Sequence, residues 1–448
     1  MTRRHGYGLL AAIVALIVAA SAALYGVLAS GDGPPGDSRA ARHGRHGSAA
    51  PASTAAWVGA WAAAPAAAEP GTETTGMAGR SVRNVVHTSV AGTSARITLS
   101  NLYGRSPLTI AHASVAVAAA GGTGTDGTAA AAAGTMRRLT FSGAPSVAVP
   151  PGGQVVSDAV RIAVPQDADV LVTTYSPIPS GPVTYHPRAR QTSYVARGDR
   201  TEDTTGTPYT ERTPYWRYLT ALDLLSDQAD RTVVVLGDSI TDGITSTADA
   251  NHRWTDVLAE RLRAAVAADR DVPRYSVVNE GISGNEILAD GPGLPADNPS
   301  GLHRFSRDVL ERTNAKVVVV DLGINDILRN RALPAPAKIV AGLRTLVRQA
   351  HARGLKVVGA TLMPAGGHPG WTAAREAVRQ QVNDAVRAGE VYDGVVDFDR
   401  ALRDPYDARR LRGAYDSGDH LHPSDLGYRR MGEAFGLESL RGAVQRGV

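Results

Sequence analysis

With no cysteine in 448 residues, a reactive centre in this chain has to come from serine, histidine, aspartate, asparagine and backbone groups. One stretch places a serine conspicuously. In "VVVLGDSITDG", Val233 to Gly243, an apolar run stops at Gly237-Asp238-Ser239 and helical sequence follows. A serine just past a buried strand presents its hydroxyl at the sheet edge, and the N–H groups at the following helix start point toward any oxyanion formed there. The simpler job for such a serine is to cap the helix. A phosphate-binding loop would need G-x-G-x-x-G or Gly-Lys-Ser/Thr, and neither stands here.

Three further segments supply partners. "NEGISGNEIL" offers Gly281 and Gly284, where backbone can approach a ligand closely. "DLGINDIL" offers Asn325 as a neutral donor, and "DSGDHLHPSDLGY" sets Asp419 three residues before His422. A serine hydroxyl is a poor nucleophile until a base takes its proton, and imidazole suits that task. The Asp-x-x-His spacing can put a carboxylate on the far ring nitrogen and fix the tautomer. Other readings stand beside these. Asn325 could cap its own turn; His420 and His422 form a metal-like H-x-H pair, but no clustered His or Glu completes a site. Asp397 and Asp399 read as a strand-end turn and a helix cap. His252 and Trp254 read as packing residues, although Trp254 could line an acyl pocket. His186 and Tyr194 could reach the site from upstream, with structure the simpler role.

Elements must bring these residues together. After Asp230 the sequence alternates buried strands (232–236, 275–279, 317–321, 356–361, 394–397) with amphipathic helices (252–268, 336–353, 372–388, 424–435). Such alternation implies an α/β fold with a parallel sheet flanked by helices, which binds ligands beyond the C-terminal strand ends. Ser239, Gly281 and Asn325 each follow a strand. Residues 57–228 read instead as short strands punctuated by "VPPGGQ" and "PIPSGP", a β-sandwich-like domain. Its last run, "YWRYLTALDLL", enters the first strand of the α/β domain (229–448) without a linker, which predicts a packed interface.

In this order, "GDSIT", "NEGISGN", "GIND" and "DHLHP" resemble the SGNH hydrolases, the GDSL family of esterases and acylhydrolases, over roughly residues 231–435. The upstream strands are similar to the β-rich part of a secreted branch of that family that includes arylesterases and carbohydrate acetylesterases. The resemblance implies a flavodoxin-like domain with Ser239 as nucleophile, His422 as base oriented by Asp419, and an oxyanion hole of Ser239, Gly281 and Asn325. It implies no cofactor and no metal.

Arg3 and Arg4 precede the apolar run Leu9–Ser30, long enough to cross a bilayer. Residues 1–30 therefore read as an export signal or a membrane anchor, and residues 31–56, rich in Gly, Pro, Ala and Ser, as a flexible tether. The location implied is extracellular or at the cell surface. A net charge of +4 with scattered arginines gives no nucleic-acid footprint. The expected partner is a small-molecule or glycan ester. With four phenylalanines in the chain and a polar, Gly/Pro-rich stretch from Ala289 to Arg304 in which only Leu294 and Leu302 could face a lipid, short acyl groups are expected. A long-chain lipase and a non-catalytic carbohydrate- or cell-wall-binding protein are the competing readings. Oligomeric state is not legible.

Overall fold

Valine-rich runs flanked by turn residues build the half of the molecule that carries the candidate site. In the computed structural model, which describes residues 55–120, 128–291 and 298–442, five strands form one parallel sheet: β1 Arg231–Gly237, β2 Tyr275–Gly281, β3 Ala315–Asp321, β4 Lys356–Ala360 and β5 Gly394–Val396. Their order is β2-β1-β3-β4-β5, the 2-1-3-4-5 order of flavodoxin-like folds. Successive side chains of β1 point to opposite faces of a sheet covered on both sides, so the strand is buried from Thr232 onward. Val233 and Val235 pack into one cluster with Trp254, Leu258, Tyr428 and Met431, while Val234 and Leu236 pack on the opposite face with Phe305, Ile339 and Leu343.

The helices that supply these clusters are α1 Ser239–Asp242, α2 Trp254–Ala267, α3 Gly301–Phe305, α4 Ile324–Leu328, α5 Pro336–His351, α6 Ala373–Arg387, α7 Phe398–Leu402 and α8 Asp425–Ala434. The expected long helices lie within two residues of α2, α5, α6 and α8 at each end. The one-turn helices α1 and α7 start where the Ser239 turn and the Asp397–Asp399 cap predict a helix, whereas α3, α4 and the π-helical turn Ser306–Leu310 that continues α3 have no counterpart in the sequence pattern. Trp254 is fully buried between the Phe398 and Phe435 rings at 5.3 and 6.3 Å. It is therefore a core residue and not part of an acyl pocket.

The upstream region is strand-rich with antiparallel sheets. A five-stranded sheet runs through Ala56–Ala62, Leu219–Ser226, Gly92–Ser100 and Val160–Val164, with Gln154–Val156 pairing beside it. A six-stranded sheet is centred on Arg80–His87 and Asp169–Ser176. Ile97, Leu99, Leu222 and Ile162 of the first share one core with Val82, Val86, Val115 and Val172 of the second. "YWRYLTALDLL" supplies the strand Leu219–Ser226 next to the α/β half.

The two regions pack together. Strand Ala56–Ala62 lies against β2, the edge of the parallel sheet, and a Cβ on Gly59 would sit 3.1 Å from a Val278 methyl, so this close approach suits glycine. Gly59 N–H donates to Thr232 Oγ1 at 3.0 Å, and the outward N–H of Val277 donates to Ser89 Oγ at 3.2 Å. An edge strand that would otherwise expose unpaired backbone is thereby covered. The export segment 1–30, the tether through residue 54 and Leu294 lie outside the described residues; among those described, no helix is long and apolar enough to cross a membrane.

Candidate active site

Strand register brings the candidate residues to one level. Gly237 pairs with Gly281 on one side and with Asp321 on the other, so the chain leaves β1, β2 and β3 side by side. From β1 it turns into α1, where the Asp238 side chain accepts the Ile240 N–H at 3.0 Å and caps the helix. Capping falls to Asp238, and the Ser239 hydroxyl is left for other work.

His422 Nε2 lies 2.8 Å from Ser239 Oγ, and His422 Nδ1 lies 2.6 Å from Asp419 Oδ2. A carboxylate only accepts, so Nδ1 carries the proton and Nε2 is free to accept from the serine hydroxyl. Asp419 Oδ1 takes the backbone N–H groups of Leu421 and His422 at 3.0 and 2.8 Å. Partial burial pushes the Asp419 carboxyl up, but the His422 ring and these two N–H groups outweigh it and hold the acid well below the usual carboxylate range. Asp419 is thus an anion at any working pH. His420 turns the other way, with Nδ1 2.6 Å from Asp416 Oδ2. The two histidines form separate His–Asp pairs, and among the described residues no three acidic or histidine side chains gather to hold a metal ion.

The donors left unspent at this edge differ in part from those expected. Neither the Ser239 N–H nor the Gly284 N–H donates to another group among the described residues. Asn325, buried at the start of α4, gives one amide hydrogen to Asn285 O at 3.1 Å and keeps the other. Gly281 does not fit: its N–H donates to Asn279 Oδ1 at 2.9 Å, and its Cα faces α1 so closely that a Cβ would lie 2.3 Å from Asp242 N. Gly281 is a packing glycine beneath α1. The free N–H next along the turn belongs to Gly284, whose φ of +77° turns the chain there. This turn is tied to α1 by Ser283, whose N–H and hydroxyl reach Asp242 Oδ2 at 3.0 and 2.5 Å.

Buried acids underlie the site. Burial, with Asp321 nearby, pushes the Asp238 carboxyl well above its ordinary range. Burial raises Asp321 to about 6, against the opposing hydrogen bond from Thr241 Oγ1 at 2.9 Å. Burial likewise raises Asp326 to about 6, although the Ile287 and Leu288 N–H groups favour its anion. Asp397 caps α7 through the Arg400 N–H, and Asp399 is buried against Arg379 and Arg387. His252 binds Asp425 at 2.9 Å. His186, from the upstream region, reaches the α/β half and bonds Asp242 at 3.0 Å. Asp242 and Ser283 were missed in the sequence; the signal for Asp242 is its position three residues after Ser239 on the same helical turn.

A serine on a strand–helix turn, a His–Asp pair against it and a neutral amide beyond the next strand all lie within the span, residues 235–430, that matches the GDSL-like lipase/acylhydrolase family. The chain carries a GDSL acylhydrolase domain. Solved structures resembling this GDSL domain include a carbohydrate acetylesterase from Sinorhizobium meliloti (19% identity, 46% of this chain and 96% of that one, TM-score 0.36). They also include a GDSL-like lipase from Bacteroides thetaiotaomicron (19%, 46% and 85%, TM-score 0.32) and a lipolytic G-D-S-L protein from Veillonella parvula (17%, 46% and 95%, TM-score 0.34). No curated protein matches the chain.

Proposed function

We propose that the protein is an exported serine esterase, a carboxylic ester hydrolase working outside the cell or at its surface, that cleaves short acyl esters, acetyl foremost, from alcohols that include sugar hydroxyls. The observation that carries the catalytic half is the unbroken chain from Ser239 Oγ to His422 at 2.8 Å and from His422 to Asp419 at 2.6 Å. Export rests on the N-terminal apolar run behind Arg3 and Arg4.

In this reading His422 Nε2 takes the Ser239 proton as Oγ attacks the ester carbonyl, and Asp419 stabilises the imidazolium that forms. The oxyanion accepts from the Ser239 and Gly284 N–H groups and from the free Asn325 amide hydrogen. His422 then protonates the leaving alcohol, and the acyl-Ser239 ester remains. Water, deprotonated by the same imidazole, releases the acid and restores the serine.

The stretch after β2 that carries Gly284 is polar: Ser283 bonds Asp242, Asn285 bonds Asn298 and Glu286 bonds Asn330, while Leu302 packs against the core behind the sheet. Each buried methylene contributes about 0.8 kcal/mol to chain-length selection only where apolar surface receives it. The test is a series of p-nitrophenyl esters from acetate to palmitate, together with acetate release from acetylated xylan. We expect efficiency to fall beyond butyrate and acetate to be released. Rising efficiency with chain length would remove the short-acyl reading, and no acetate from any glycan would remove the sugar alcohols.

A further inference from the structure

Asp242 lies one helical turn after the nucleophile, is almost fully buried, and is shared by two regions of the chain. Its Oδ1 receives His186 Nε2 at 3.0 Å, and its Oδ2 receives the Ser283 N–H and hydroxyl. His186 ends the strand Thr184–His186, which pairs with Trp216–Arg217, and its ring lies 5.4 Å from that of Trp216. Its Nδ1 is 2.9 Å from the Ala64 carbonyl oxygen.

A carbonyl oxygen and a carboxylate can only accept, so both His186 nitrogens carry hydrogens and the ring is an imidazolium. The result is a buried ion pair between the β-rich region and the nucleophile helix. The carboxylate's remaining oxygen is occupied by the residue just before Gly284, the turn that offers an unspent N–H beside Asn325. Removing the cation would leave an unpaired buried anion, which the surroundings could relieve only by moving or by taking up a proton. Either response loosens the hold on Ser283.

We propose that His186 is a positioning residue for the esterase site: through Asp242 it fixes the Ser283–Gly284 turn against the nucleophile helix, so that the upstream region completes the oxyanion hole. The inference rests on Ser239 as nucleophile and Gly284 as donor. It also gives the β-rich region a chemical task, since among the described residues His186 is the cation that pairs with Asp242. The link is electrostatic and directional, so it acts on the rate of acyl transfer more than on substrate affinity.

The experiment uses the full chain with p-nitrophenyl acetate, comparing His186→Ala, His186→Gln, Ser283→Ala and the double variant His186→Ala/Ser283→Ala. Readouts are kcat, KM, the rate of fluorophosphonate labelling and Tm. A donor displaced by about 1 Å can cost on the order of 10²-fold, so kcat and labelling should fall by about tenfold or more at His186→Ala, with KM within about twofold. Ser283→Ala, which leaves the interface between the regions intact, should lower kcat with little change in Tm. His186→Gln retains one donor and should recover part of the rate. The double variant should be no slower than His186→Ala, because both act through one carboxylate. Losses confined to Tm, additive losses, or a Ser283→Ala enzyme of unchanged kcat would overturn the proposal; the last decides the matter even if His186→Ala does not fold. Failure of the underlying reading has a separate signature, a Ser239→Ala chain that still turns over.

Discussion

The three residues joined around Ser239 Oγ carry unequal burdens. In the proposed reaction His422 moves the proton, so His422→Ala should cost nearly as much turnover as Ser239→Ala. His420→Ala should be mild, since its ring is engaged by Asp416 and does not reach the serine. Comparing kcat/KM of the two histidine variants checks this directly, and equal losses would contradict it. Asp419→Asn reverses the hydrogen-bonding preference at Nδ1 and should lower kcat by up to about 10⁴. Removing one side-chain oxyanion donor costs about 2.7–4 kcal/mol in comparable sites, so Asn325→Ala should lower kcat by roughly 10²–10³ with KM little changed. At this scale the meeting of Ser239, His422 and Asp419 and the place of Asn325 past β3 were legible, because each stands just past a strand or beside the terminal helix. Gly281 against Gly284 was not. Both glycines permit close backbone approach, and which N–H remains free depends on where the Asn279 side chain turns.

The long helices and the valine-rich strands announced themselves by pattern. The apolar faces of α2, α5, α6 and α8 and the valine runs of β1 and β3 fixed their bounds to within two residues. One-turn helices such as α1 and α4 are too short to show an amphipathic period; the Asp238 cap holds α1, and α4, which has no side-chain cap, is tied to the loop after β2 through Asn325 and Asp326. Beneath them, Asp238 and Asp321 end up buried side by side, a packing result no local pattern contains. Asp321 is raised to about 6 in the folded chain and titrates near 3.9 when unfolded, so between those values the native state binds more protons and stability falls as pH rises. Asp321→Asn keeps an acceptor for Thr241 and removes the ionisation. Its Tm relative to the parent should therefore rise between pH 4 and pH 7 and change little below pH 4. A difference independent of pH would show that the carboxyl pair does not share a raised titration. The Trp254 ring, wedged between Phe398 and Phe435, is a second check: Trp254→Ala should cost about 3–5 kcal/mol in denaturant unfolding.

Across the whole molecule, the absence of a linker after "YWRYLTALDLL" pointed to contact between the two regions, but not to what crosses it. His186 is far in sequence from Asp242, and a buried histidine in a strand-rich segment looks the same whether it packs or pairs. A fragment beginning near Asp227 would lose the Ser89 acceptor for Val277 and the His186 partner of Asp242. It should be less soluble and less stable than the chain from Ala55, and slower on p-nitrophenyl acetate; equal solubility, stability and turnover would show the upstream strands to be dispensable. The central claim, an acyl-enzyme formed on Ser239 and activated by His422, meets its most direct test in one measurement. The full chain is treated with a fluorophosphonate and the modified peptide is located by mass spectrometry. A single adduct on Ser239 is expected, absent from Ser239→Ala and formed far more slowly in His422→Ala. An adduct on any other serine, or a Ser239→Ala chain that still hydrolyses ester, would contradict it.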